Sequence, residues 1–455
     1  MRQAHSSIHN LVRSNGARTT MGTEISLEVG GMTVDWSKNM RGTDHGPLYQ
    51  EQDRKRLKCD QIDYAYFEDE GEDPAGFEMS FSRSLGAVVS RLEMLGFRLE
   101  SVRQAYEAVT WQWREDWLVL ADALETGAEE EVPEPMSFDE YLAFVCAHPI
   151  GSLSNEISAD DDRTGEQRFK DRFGGDKQLA RLPTDSEGMS WAYSERSFFG
   201  AVIGFLDPYS TLRMLAECPG NLGLTVDWRY GPLIEDGRAT VEEFIPCARR
   251  RQTFLIATEG SSDVHILNHA IKLLRPDVAD FFRFIDVSER HPFSGTGGLV
   301  KFAEGLAKID VQNKIVFLFD NDAEGVEALR AVRRFKLPNN MSTLVLPDLE
   351  EFQQFPAQGP DGIRNSDING RAAAIECYLD LSLPQYGPAK VVWTNYKKDS
   401  GIYHGALEYK ESYANEFFDQ NRETIRDGRY DVSKIERVLD ALIEECSRLA
   451  MVESR

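Results

Sequence analysis

The 455-residue sequence has no apolar run long enough to span a bilayer. It also has no CxxC pair. Its six cysteines (Cys59, Cys146, Cys218, Cys247, Cys377 and Cys446) stand singly along the chain. Such spacing excludes a zinc ribbon and gives no disulfide framework; scattered cysteines of this kind read as buried apolar fillers. No GK[ST] follows any glycine-rich stretch, so there is no P-loop, and nucleotide gating would have to come from another protein. Cations are in deficit, with 51 Lys and Arg against 76 Asp and Glu and a formal net charge of -25. That excludes a broad basic coat for nucleic acid but not a local basic groove or an ion-bridged phosphate contact. The expected setting is the cytoplasm, away from membrane, with room for a basic protein partner or a homo-oligomer.

What is present is ample core material, 41% hydrophobic, enough for two or three domains. Two stretches organise it. TFLIATEGSSDVHIL runs from Thr253, and KIVFLFDNDAEGVEAL runs from Lys314. Each is a short apolar run that ends in acid and continues as a helical pattern. This is the signature of a buried parallel strand entering its crossover helix. Groups at the carboxyl ends of such strands gather in one crevice, so Glu259, Asp320 and Asp322 should meet there. Two bare carboxylates ~4 Å apart repel by about 4 kcal/mol at an effective dielectric near 20. A cluster of them calls for a cation, and hard oxygen ligands suit Mg²⁺ or Mn²⁺.

The pair Glu259-Gly260 and Asp320-Asn321-Asp322 resembles the signature of the Toprim domain, the metal-binding core of topoisomerases, primases and a class of nucleases. The spacing Glu259-Gly260-Ser261-Ser262-Asp263 looks most like the overcoming-lysogenization-defect nucleases. The resemblance covers roughly residues 250–380. It implies a Rossmann-like parallel sheet: strand 253–258, helix 262–274, strand 281–287, helix 299–308, strand 314–320, helix 323–335 and strand 342–346. It implies two divalent ions, held by Glu259, Asp263, Asp320 and Asp322, with Glu376 as a further ligand on an apparent helix. It also implies a lysine near the transition state, for which Lys397 and Lys398 are the candidates and Lys398 is the choice. By their residues alone, Asp263 is equally an acid in a first helical turn, and Glu376 an ordinary surface acid.

Residues 1–20 carry no acid and read as a leader or as an over-extended start before Met21. From Met21, Ile25, Leu27 and Val29 alternate, then Gly30-Gly31, then Met32, Val34 and Trp36, which is a hairpin. The stretch MGTEISLEVGGMTVDWSKNMRGTDHGPLYQ resembles the start of the HEPN/Toprim-associated region, found fused to Toprim domains, often in anti-phage genes. Periodicity alone gives only the hairpin. The HEPN name implies a helical RNase with R-x4-6-H; Arg2 to His9 fits that spacing but lies in the leader, and Arg41 to His45 is one residue short and sits next to the hairpin, so a scaffold role is the better expectation. Apolar stripes follow at Leu85, Val88, Val89 and Leu92, and at Val102, Tyr106, Val109, Trp113, Trp117 and Leu120; both read as core. Residues 155–190 read as a long loop. Leu224–Trp228 reads as a strand, and Arg249, Arg250 and Arg251 as a solvated linker or a phosphate contact. Gly295-Thr296-Gly297-Gly298 opens a helix and offers N–H groups to phosphate. After the Toprim-like part come a strand at Val391–Tyr396, a helix from about Leu407, and a last helix with a Ser433-x-x-Glu436 box.

The expected architecture is an α+β region over 21–247, an α/β Toprim-like domain over 248–383 and a mainly helical C-terminal region over 384–455. The expected function is a Mg²⁺- or Mn²⁺-dependent nuclease acting on nucleic acid, DNA ahead of RNA, in anti-phage defence. The alternative is a binding module that recruits an effector. A topoisomerase would need a tyrosine-bearing breakage domain, and a haloacid-dehalogenase phosphatase would put its DxD on the first strand.

Overall fold

The structure is a computed structural model. It describes residues 22–452 apart from 60–61, 72, 124–132, 158–161, 185, 286–294, 310 and 398–401. The leader of residues 1–20 lies outside the described residues. The chain divides into two compact units. One comprises Met1–Glu93 with Phe97–Cys247, and the other Met94–Gly96 with Ala248–Arg455.

The first unit is built on β1 (Glu24–Val29), β2 (Met32–Lys38), β3 (Arg54–Arg56), β4 (Met79–Ser84) and β5 (Thr225–Arg229). They form one antiparallel sheet in the order β2-β1-β5-β4-β3. The hairpin turns at Gly30 (φ 55) and Gly31 (φ 78), the paired positive angles that a two-residue type I′ turn needs. Helical segments surround the sheet. Leu85, Val88 and Leu92 are buried as expected. The stripe on the helix Leu99–Ala123 behaves differently. Val102 and Tyr106 are buried, but Trp117 is 44% exposed and the neighbouring Trp111 62% exposed. Among its described side chains the buried ones are Val102, Tyr106 and Thr110, all in the first half of the helix.

Two further expectations change in this unit. Residues 155–190 hold three helices, Asp162–Arg172, Gly175–Leu179 and Ser186–Ser190. Their polarity hid them: Phe169 and Phe173 anchor the first to the core through Phe198. Cys146 and Cys218 are not separate fillers but form a disulfide across a sequence separation of 72. Cys377 and Cys446 are buried free thiols.

In the second unit, β6 (Phe254–Ala257), β7 (Phe282–Phe284), β8 (Lys314–Phe319) and β10 (Met341–Val345) form a parallel sheet in the order β10-β8-β6-β7. Between β8 and β10 lies β9 (Asn321–Asp322), and all six residues of β8 are buried, as a strand covered on both faces must be. On one face the helices Thr296–Ala307 and Ala323–Val332 bring Leu299, Ala303, Ala328 and Val332 onto Ile315, Phe317 and Phe319. On the other, Ser261–Leu274 and Ser433–Val452 bring Ile266, Leu267, Val438, Leu439 and Leu442 onto Ile256, Val316 and Leu318. Each such side chain contributes about 1.5–3 kcal/mol on burial, so the last helix is a packing helix of this unit. Its start is held by Asp431, whose side chain accepts from the Ser433 N–H at 2.9 Å. Glu436 pairs with Arg275 at 2.9 Å.

A second sheet follows: β11 (Phe355–Gly359), β12 (Gly362–Ser366), β14 (Val391–Lys397) and β15 (Ile402–Leu407), in the order β12-β11-β14-β15. β13 (Ala372–Ala373) pairs antiparallel with β9, setting Ala372 opposite Asp322. The next helix begins at Lys410 rather than Leu407. Among the described residues no helix is long and apolar enough to cross a membrane.

Candidate functional site

β6 and β8 are parallel neighbours in register, Ala257 opposite Phe317. The acids that follow each strand are therefore delivered to one edge of the sheet. Glu259 Oε1 accepts from the Asp320 backbone N–H at 3.1 Å. Glu259 Oε2 accepts from the Thr296 hydroxyl, and its backbone carbonyl accepts from the Gly295 N–H at 2.9 Å. The glycine turn is thus fastened to Glu259. Gly295, with φ 79, precedes the helix that Thr296 opens.

Asp320 Oδ1 accepts from the Ile375 N–H at 3.1 Å. Asp322 caps the helix Ala323–Val332, its Oδ1 accepting from Glu324 N–H at 2.8 Å and Gly325 N–H at 2.7 Å. Gly325 is a glycine for a steric reason: a Cβ there would lie 2.1 Å from the Asp320 carbonyl oxygen. Asp263 is buried, its Oδ2 taking the Gly260 N–H at 3.0 Å and its Oδ1 the Ser262 hydroxyl at 3.2 Å. Glu376 is also buried, 4% exposed, and its Oε1 lies 3.8 Å from Lys410 Nζ. It does not ride on an α-helix. It sits in the single turn Ile375–Tyr378, placed by the β9–β13 pairing just before it.

The five acids feel one another. Burial, then the charges of Asp322 and Asp263, push Glu259 up to about 7 against the hydrogen bonds of Thr296 and Asp320. Burial and then Glu376 push Asp263 to about 6. Burial drives Asp320 well above the carboxylate range, helped by Asp263, Glu259, Asp322 and Glu376. Elevated carboxyls clustered at one strand end are a physical mark of a functional site.

Basic residues come to this edge from three elements. Lys410 faces Glu376, and the backbone of Arg371, an exposed residue, bridges to Asp322. His404 Nδ1 lies 3.8 Å from Asp322 Oδ2. None of these three carries a local sequence signal, nor does Thr296 as a partner of Glu259. Lys398 lies outside the described residues, and Lys397 ends β14. Arg249 and the turn Arg250–Gln252 precede β6, so they enter at its amino end. Seven residues separate Arg251 from Glu259, and the four of β6 alone span about 13 Å.

The donor set suits a hard divalent ion: five carboxylates, with an enclosed imidazole nitrogen that has no hydrogen-bond partner among the described residues. Among the described residues no three His, Cys, Asp or Glu side chains stand close enough to hold one ion as they are.

One family model matches the chain, HEPN/Toprim N-terminal domain 1, over residues 21–252. No curated protein and no solved structure matches it.

Proposed function

The chain belongs to the HEPN/Toprim N-terminal domain 1 family, and from that premise we propose that its second unit is a Toprim-type, metal-dependent nuclease. The family carries a nuclease-like expectation. The observation that carries the finer reading is the convergence of Glu259, Asp263, Asp320, Asp322 and Glu376 at the carboxyl edge of one parallel sheet, with Glu259, Asp263 and Asp320 raised.

Glu259, Asp320 and Asp322 would hold one divalent ion, Mg²⁺ or Mn²⁺, and Asp263 and Glu376 would hold a second. Such ions supply an activated water and a clamp on the leaving oxygen of a phosphodiester. The chain's own groups do the positioning. Thr296 and the Asp320 N–H orient both oxygens of Glu259. The Glu324 and Gly325 N–H groups fix Asp322 by Oδ1 and leave Oδ2 toward His404. Lys410 and Arg371 offer charge to a phosphate at this edge. The first unit serves as a scaffold or partner-binding part: His45, the histidine of the short Arg41–His45 spacing, is 3% exposed and clasped by Asp35 at 3.1 Å and Tyr209 at 3.3 Å. Anti-phage defence is the role this combination supports.

A second reading, a binding module without catalysis, draws on the described residues holding no three of these donors close enough to grip one ion as they stand. One experiment separates the two. Purified protein is incubated with plasmid, single-stranded DNA and total RNA, with Mg²⁺ or Mn²⁺, beside Asp320→Asn. Cutting that needs the ion and is lost in the variant supports the nuclease and names its substrate. Metal binding without cutting of any substrate supports the module.

A further inference from the structure

Asp322 spends Oδ1 on its helix cap, and its Oδ2 points to a histidine that no motif marks. His404 lies on the edge strand β15. Its neighbour Tyr403 is 48% exposed, so alternation sends His404 to the opposite side. The pairing slips between Trp393 and Asn395, which brings Asn395 opposite His404. Such bulges re-aim side chains beside active sites. The next residue is Gly405, where a Cβ would meet Val391 Cγ1 at 2.7 Å, Trp393 Cε3 at 2.8 Å and Val392 O at 2.9 Å. The strands close up here only because that position is glycine.

The result is a buried imidazole nitrogen that, among the described residues, has no hydrogen-bond partner. Asp322 Oδ2 stands 3.8 Å from His404 Nδ1, too far for a hydrogen bond. It is the right separation for sharing an ion. Two donors each about 2.1 Å from one metal lie about 3 Å apart at a right angle and about 4 Å apart when opposite. A neutral imidazole protonated on Nε2 presents its Nδ1 lone pair to that point.

We propose that His404 is a nitrogen ligand of the acidic site, sharing an ion with Asp322, and that it biases the site toward a transition-metal ion over Mg²⁺. The inference rests on the nuclease reading of the same cluster. Imidazole favours first-row transition ions, whereas an all-carboxylate site serves Mg²⁺ equally well.

The test uses the full chain with Mn²⁺ and Mg²⁺ alone, without nucleic acid. Calorimetry gives both affinities for the unaltered protein, His404→Gln and Asp320→Asn. Pulsed electron paramagnetic resonance of bound Mn²⁺ then reads directly coordinated nitrogen, and ¹⁵N-histidine labelling identifies it. The expected result is tighter binding of Mn²⁺ than of Mg²⁺ and a histidine nitrogen coupling in the unaltered protein. His404→Gln should lose the coupling and weaken Mn²⁺ binding about tenfold or more, with a much smaller change for Mg²⁺. No nitrogen coupling in the unaltered protein overturns the proposal even if the variant folds poorly. If His404→Gln binds as before while Asp320→Asn loses the ion, His404 is not a ligand and the acidic site stands. If the unaltered protein binds neither ion, both readings fall.

Discussion

Glu259→Gln should make the metal-free protein more stable at neutral to alkaline pH, although it removes a native hydrogen-bonding carboxylate. Glu259 is held up to about 7 in the fold against an ordinary 4.5, first by burial. Below the lower value both folded and unfolded chains keep the proton, and the group contributes no pH dependence. Between the two values the unfolded chain ionises while the folded one does not, so stability falls as pH rises. Above the folded value the loss is complete. The difference between about 7 and 4.5, at roughly 1.4 kcal/mol for each pH unit, sets an upper figure near 3.5 kcal/mol. Glutamine keeps an oxygen for the Asp320 N–H, and its amide donates where the carboxylate could not, to a rotated Thr296 hydroxyl. The assay is urea unfolding of both proteins in EDTA at about pH 4.5, 6 and 8. The variant should match the parent at the lowest pH and exceed it by about 2–3 kcal/mol at the highest. Saturating Mn²⁺ should then reverse the order, because only the parent gains binding energy. A variant that is less stable at alkaline pH without metal, or equally altered at every pH, refutes the reasoning.

Gly325→Ala should cost about 1–3 kcal/mol, since the new methyl group would press on the Asp320 carbonyl, and should weaken ion binding by shifting Asp320; urea unfolding with metal titration reads both. Reduction of the Cys146–Cys218 bond, or Cys146→Ser, should destabilise the oxidised protein by up to about 4 kcal/mol, the chain-entropy figure for a loop of this length; thermal melts with and without reductant check it. Tyr106→Ala should cost about 3–5 kcal/mol and Trp111→Ala under about 0.5, because the first is buried and the second exposed on the same helix; unfolding curves that rank them the other way would show that the helix is covered in solution.

The parallel sheet was legible because its strands are buried on both faces. Residues 315–319 could only be apolar throughout, and the acids that break each run mark its end. Order along the chain then brought Glu259, Asp320 and Asp322 together. Other parts depended on pairing at a distance. Glu376 looked helical because Ala-Ala-Ala precedes it, but two of those alanines are taken up by a strand against Asn321 and Asp322. The helix Asp162–Arg172 is polar nearly all round and holds on by its phenylalanines, so composition alone made it a loop. The nitrogen-bearing side chains were the hardest to foresee. Lys410 and His404 come from a helix start and an edge strand, and nothing within several residues of either marks them. Their meaning comes only from what the second sheet sets them against.

The acids of the site do not all argue equally for a bound ion. Asp322 has a complete structural use as a helix cap, with two N–H donors on one oxygen. Asp263 has another, closing the turn at Gly260. Glu376 has Lys410 near it, and Glu259 ties Thr296 to the end of β8. Asp320 is the exception. Among the described residues its donor is the Ile375 N–H, and the charges that act on it most are those of Asp263, Glu259, Asp322 and Glu376. One hydrogen bond contributes about 0.5–1.5 kcal/mol, or up to about 3 when the acceptor is charged. Repulsion from even one carboxylate at ~4 Å is about as large as that upper figure or larger. An asparagine would keep the bond and shed the repulsion. A fold selected for stability alone would therefore have no use for an aspartate there, and the residue makes physical sense when a cation completes its surroundings.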